Sequence, residues 1–151
     1  GDVYKRQVDD AVSHGGTILT GGKAVEGKGF FFEPTVITGA SKDAKVFREE
    51  IFGPIAPIFT FSTEQEAWAL ANDTEYGLAS YVFSEDPDVM WRASDHLEFG
   101  LVGYNTGVVS DASIPFGGVK ASGLGREGSL EGMLEYTEVQ MIGVRDPYAR
   151  F

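Results

Sequence analysis

Arg48-Glu49-Glu50-Ile51-Phe52-Gly53-Pro54 and, about sixty residues further on, Pro115-Phe116-Gly117-Gly118-Val119-Lys120-Ala121-Ser122-Gly123-Leu124-Gly125-Arg126-Glu127 are the stretches that decide how this chain folds. Both are glycine-rich, charge-bearing loops set beside apolar runs. The elements around them read outward as follows. Before the first, residues 8–14 are the last turns of a helix stopped by Gly15-Gly16. Thr17-Ile18-Leu19-Thr20 is a short strand closed by Gly21-Gly22. Residues 30–37 form an extended apolar run, which Pro34 confines to an edge or interrupted strand. A short helix over residues 43–50 leads into the loop, and residues 55–61 follow as a strand limited by Pro57.

Between the two loops, Thr63-Glu64-Gln65-Glu66 has the pattern of a capping box that opens a helix to about Asn72. Residues 77–83 are an apolar strand. Asp86-Pro87 starts a second helix, with Val89, Met90, Ala93 and Leu97 on one face, ending at Gly100. Leu101-Val102-Gly103-Tyr104 is a strand. Residues 105–128 make a loop long enough to mean function in a compact domain. Pro115, Phe116 and Ile114 are costly to expose on a floppy segment, so the loop reads as packed against a pocket. A weak helix over residues 129–136 is interrupted by Gly132, residues 138–144 alternate as a strand, and residues 145–151 are a polar tail. Strands alternating with helices imply an α/β fold with a largely parallel sheet.

Composition excludes several classes of function. The formal charge of −11 argues against nucleic acid and against anionic membranes as partners. With no cysteine, the 151 residues hold no disulfide, no thiolate metal site and no cysteine nucleophile. That usage fits a reducing, cytoplasmic setting. No apolar run approaches the ~20 residues of a membrane helix. Residues 1–7 lack a signal-peptide pattern. No metal-ligand spacing occurs, and His14 and His96 read as bystanders in polar helical contexts. Gly123-x-Gly125-x-x-Gly128 spells a dinucleotide fingerprint, but no apolar strand precedes it and only a short helix follows, so the match is chance.

By spacing alone, Glu49-Glu50-Ile51-Phe52-Gly53-Pro54 is a helix end and a turn, and Ser110 is a solvated loop serine. The two opening motifs, with Ala71-Asn72-Asp73-Thr74-Glu75-Tyr76-Gly77-Leu78-Ala79-Ser80, resemble the aldehyde dehydrogenase superfamily. Asn105-Thr106-Gly107-Val108-Val109-Ser110 and Gly123-Leu124-Gly125-Arg126-Glu127-Gly128-Ser129 resemble its succinate-semialdehyde dehydrogenase branch. The resemblance covers residues 8–144. Residues 1–7 read as a leader foreign to the pattern.

The resemblance implies an oxidoreductase using NAD or NADP on a small aldehyde, foremost succinate semialdehyde, with glutarate semialdehyde behind it. It implies that Glu50 holds the nicotinamide ribose and Phe52 flanks the ring. Glu49 inherits no role. Ser110 meets the distal carboxylate of the substrate, and Phe116 lines its tunnel. Arg126 and Glu138 become structural charges near a subunit interface. Residues 8–128 become the C-terminal part of the catalytic domain. Residues 129–144 become a closing helix and an oligomerisation strand of a homodimer or homotetramer. The cysteine nucleophile, the base, the oxyanion asparagine, the Rossmann domain and the carboxylate-binding arginines would all lie upstream. Such a piece would leave apolar surface uncovered. The other reading is a catalytically silent, truncated paralogue that acts as an assembly module.

Overall fold

The computed structural model describes residues 2–145 and 148. The chain divides into two compact units, residues 1–66 and 67–151.

The first unit opens with α1 (Asp2–Ser13), whose buried Val8 and Ala11 face the unit's core. Gly15 and Gly16 end it as expected. The predicted last turns over residues 8–14 continue a helix that begins at Asp2, so part of the supposed leader is helical and Gln7 is only 1% exposed. β1 (Thr17–Thr20), β2 (Thr35–Thr38) and β3 (Ile55–Ile58) form one sheet in that order. β1 runs antiparallel to β2, with an irregularity between Ile18 and Thr20, and β2 runs parallel to β3 from Thr35 opposite Ile55 to Thr38 opposite Ile58. Pro34 was expected to make this run an edge or interrupted strand, and it is interrupted: Phe32 bridges Ala24 before the proline and β2 follows it, although β2 is the middle strand and not an edge. It starts one residue after the proline, so no ladder donor is lost. Phe30 and Phe31 lie outside the strand and are exposed. α2 (Lys45–Arg48) is a single turn. Ile37, Ala40, Ala44, Val46 and Ile55 complete the core with Val8 and Ala11, and Tyr4, Phe32, Ile51 and Phe59 pack against it.

The boundary between the units falls within α3 (Glu64–Asn72). Its predicted capping box forms in a shifted version. Thr63 Oγ1 accepts from Glu66 N–H at 3.2 Å, while the Glu66 carboxylate accepts from Ser62 N–H at 2.8 Å rather than from Thr63.

The second unit contains β4 (Tyr76–Gly77), β5 (Ala79–Val82), α4 (Asp88–His96), β6 (Leu101–Tyr104), β7 (Val119–Lys120) and α5 (Ser129–Leu134). β5 and β6 pair in parallel, and β4 pairs antiparallel with β7. The Asp86 carboxylate accepts from Asp88 N–H at 2.9 Å, which starts α4 as Asp86-Pro87 predicts. The helix stops at His96, earlier than the predicted Gly100. Gly132 does not break α5. It is buried, and a Cβ there would stand 2.8 Å from the Glu127 carbonyl carbon, so glycine permits the helix to lie against the loop. Residues 138–144, predicted as a strand, form no ladder among the described residues, and the side chains of Val139, Met141, Ile142 and Val144 are exposed. A strand needs a partner, and the described residues supply none there. Most of the predicted tail, residues 145–151, lies outside the described residues.

Candidate functional site

In the first unit the Glu49-Glu50-Ile51-Phe52-Gly53-Pro54 segment leaves α2 in extended conformation after Glu49 N–H donates to Lys45 O at 2.7 Å. Half-buried Ile51 roots it in the core. Three side chains of α1 then fix its path. Arg6 Nη2 meets the Glu49 carboxylate at 2.8 Å, Gln7 Nε2 donates to Glu50 O at 3.3 Å, and Tyr4 Oη donates to Phe52 O at 2.6 Å. Glu49 is therefore spent on an ion pair. The Glu50 carboxylate is exposed and the Phe52 ring is 84% exposed. The backbone is held while the two groups of interest are left open. That arrangement suits a ligand offering paired hydroxyls to a carboxylate and a flat face to a ring.

In the second unit the long loop begins at Asn105, whose φ of 50° is unusual outside glycine. Its carboxamide grips one residue twice, accepting from Ser84 N–H at 2.9 Å and donating to Ser84 O at 2.8 Å. Tyr104 Oη donates to Asp86 O at 2.7 Å beside it. Ser110 follows, exposed. The next residue, Asp111, has its carboxyl held below the usual range, first by the Ser113 hydroxyl and then by the Ser113 N–H. Ser110 thus stands next to a negative charge, and its hydroxyl alone makes no anion site.

Phe116 and Glu127 exchange both backbone hydrogen bonds at 2.7 Å, which closes the glycine-rich stretch into a loop. Arg126 Nη1 donates to Gly118 O at 2.7 Å and Gly125 O at 2.9 Å inside that loop. The carboxylate that approaches Arg126 belongs to Glu135, 3.2 Å from its N–H, and Glu138, predicted as its counterpart, is exposed. A cleft of about 470 Å³ opens here, walled by Phe116, Leu78, Arg126, Glu127 and Glu135 with glycines between them. Ser110 is not among its walls. Gly100 makes the close approach possible, because a Cβ on it would run into the Gly117 carbonyl. The fingerprint match at Gly123, Gly125 and Gly128 has only two-residue β7 before it and six-residue α5 after it, so its rejection holds.

Glu50 and Phe52 share one segment of the first unit, and Ser110 and Phe116 share one loop of the second. Sequence reading passed over Lys120 and Asn105. Lys120 has φ 55°, a left-handed conformation costing about 1–2 kcal/mol for a residue with a Cβ. No group of three metal-ligating side chains occurs among the described residues. No helix there is long and apolar enough to cross a membrane.

Similarity to known proteins gives the family. The profile of the Aldehyde dehydrogenase family matches residues 2–142, further toward the N terminus than the motifs reach. The chain is 52% identical over 141 residues to a succinate-semialdehyde dehydrogenase of Paenarthrobacter nicotinovorans, covering 93% of this chain and 31% of that protein. It is 49% identical over 138 residues to a glutarate-semialdehyde dehydrogenase of Pseudomonas putida, covering 91% and 28%. Among solved structures, a succinate-semialdehyde dehydrogenase from Burkholderia pseudomallei superposes with a TM-score of 0.85 at 51% identity, over 89% of this chain and 28% of that one. The chain spans about a third of the length of the curated relatives it matches. With a mixed α/β fold that follows these structures and a family match along nearly its whole length, the chain belongs to the aldehyde dehydrogenase family.

Proposed function

We propose that this chain is part of an NAD(P)-dependent aldehyde dehydrogenase that oxidises a short ω-carboxy aldehyde, foremost succinate semialdehyde, to the acid. The observation behind this is the open pair on a pinned segment: an exposed Glu50 carboxylate and, two residues on, a Phe52 ring 84% exposed. The names of the relatives, succinate- and glutarate-semialdehyde dehydrogenases, support the substrate class.

The bound NAD or NADP would accept a hydride from the substrate. The chain's own residues would bind and orient. Glu50 would accept from the vicinal hydroxyls of a ribose, and Phe52 would cover one face of the nicotinamide and keep water from it. Phe116 would wall the substrate end. Ser110 would donate to the distal carboxylate, with the countercharge supplied from outside these residues because Asp111 is negative. The family's nucleophile is a cysteine and these 151 residues contain none, so bond-making falls to other parts of the enzyme. Homo-oligomerisation through residues 138–144 is part of the reading.

The exposed Val139, Met141, Ile142 and Val144 also favour a second reading, an assembly module without catalysis. One experiment on the complete protein separates the two. Glu50→Gln is expected to weaken nicotinamide cofactor binding and slow hydride transfer. Ser110→Ala is expected to raise KM for succinate semialdehyde but not for an uncharged aldehyde of similar length. A protein that binds neither NAD nor NADP in calorimetry rules out the dehydrogenase reading. Equal losses on both aldehydes remove Ser110 from carboxylate binding.

A further inference from the structure

We propose that Lys120 is a positioning residue whose ammonium latches the glycine-rich loop bearing Phe116 to the end of α3 and to Glu98, and so sets the shape of the substrate end. The inference rests on the reading of Phe116 as a wall of that end.

Side chains contribute little to the packing of the loop. Gly117, Gly118, Gly123 and Gly125 have no side chain to bury, and Leu124 is exposed. Among the described residues its backbone pairing is the two-residue ladder of β7 with β4 and the single bridge between Phe116 and Glu127, too short to be stable by themselves. Against that weakness stands Lys120. Its Nζ lies 2.6 Å from Glu98 Oε2, 3.1 Å from Asn72 O and 3.4 Å from Thr74 O. An ammonium has three donors, and these acceptors use all of them. The side chain is 26% exposed, so the contact is partly shielded from water.

The acceptors are themselves fixed. Asn72 is the last residue of α3, where carbonyls lack an acceptor bond within the helix and the dipole favours a cation. Its side chain donates to His96 O at 2.7 Å and accepts from Glu98 N–H at 2.9 Å. One residue therefore receives the lysine and orients the turn that presents Glu98. On the other side, the left-handed backbone of Lys120 turns the chain back on itself. Ser122 N–H donates to Val119 O at 3.2 Å, and Ser122 Oγ accepts from Gly77 N–H at 3.0 Å. A lysine keeps such a conformation only where its surroundings over-determine it. Lys120 does not wall the cleft, so its action on a substrate passes through Phe116 and its glycine neighbours.

Lys120→Met keeps the apolar stem and removes every donor. In the complete protein it is expected to raise KM for succinate semialdehyde by about tenfold, leave KM for the nicotinamide cofactor in place, and speed hydrogen exchange over residues 116–123. Lys120→Arg is expected to recover part of both effects, since a guanidinium still donates but does not fit a site shaped for a compact ammonium. A lower kcat with both KM values and the loop exchange unchanged overturns the proposal and leaves Lys120 a stability contact. Should Lys120→Met fail to fold, Glu98→Gln, at an exposed carboxylate, is expected to speed exchange over the same residues, and unchanged exchange overturns the latch. A wild-type protein inactive on ω-carboxy aldehydes contradicts the substrate reading alone, because exchange over residues 116–123 still decides whether the latch exists.

Discussion

Seven buried apolar side chains stand behind the Glu50 and Phe52 segment in the first unit, whereas Ala93, Leu97 and Leu101 are the buried apolar side chains described in the second, which holds Ser110 and Phe116. The first unit positions its candidate groups by packing, with half-buried Ile51 against the core and short polar ties on the backbone. The second positions its loop by directed contacts: an asparagine gripping Ser84, an arginine donating into its own loop, a lysine reaching back to α3. Packing is nondirectional and tolerates small shifts, but a hydrogen-bonded loop depends on each donor being in place. The second unit also exposes Leu130, Met133, Leu134 and Tyr136, apolar surface that a thin core leaves outside.

The contrast breaks or holds first at Ile37, fully buried in the middle strand β2. Ile37→Ala should destabilise the first unit by roughly 2–5 kcal/mol, measured as a shift in denaturant midpoint at constant slope. A loss below about 1 kcal/mol would mean that the site collapses around the cavity and that packing is not what fixes this unit. Next in size is Gly100→Ala. The added methyl would meet the Gly117 carbonyl, an overpacking cost of roughly 1–3 kcal/mol. Because the neighbour is backbone and not a flexible side-chain end, the strain should appear as displacement of the loop, visible as faster exchange at Phe116 and Glu127. A neutral Gly100→Ala would show a loop free to move aside, and with it the claim of a directed scaffold would fall.

Local chemistry made much of this legible in the sequence. Gly15-Gly16 ends α1, Asp86-Pro87 begins α4, and Leu101–Tyr104 is a strand with the expected bounds, because caps, breakers and short apolar runs act over a few residues. What depended on distant partners was hidden. Pro34 interrupts its run as expected but does not make β2 an edge, since its effect on pairing is set by which residue takes the first ladder bond. Residues 138–144 alternate like a strand, but no periodicity supplies the second strand. Glu50, Phe52, Ser110 and Phe116 came from a resemblance, as spacing alone reads a turn and a solvated serine. Lys120 stood in plain sight within the motif, yet its acceptors on Asn72 and Thr74 lie 48 and 46 residues away in the chain.

The smallest effect separates the units by acid. Asp10 accepts from Lys45 N–H at 2.7 Å, and that bond foremost lowers its pKa below the ordinary 3.8, although burial opposes it. Asp111 is lowered likewise, first by the Ser113 hydroxyl and then by the Ser113 N–H. In both, the folded value lies below the unfolded one. Each contribution is therefore complete above pH 3.8 and fades as pH falls through the depressed value. The two losses should look different. Lys45 follows buried Ala44 and precedes buried Val46, so its amide should exchange only when the first unit opens as a whole. Ser113 sits in an exposed turn, so its amide should lose protection locally while the rest of its unit is unchanged. Asp10→Asn should flatten the acid dependence of global stability, and Asp111→Asn only that of Ser113 protection, each corrected for intrinsic exchange. If the Lys45 amide opens locally as readily as that of Ser113, the cooperative unit is smaller than its core, and the division between a packed scaffold and a hydrogen-bonded one must be redrawn at Asp10.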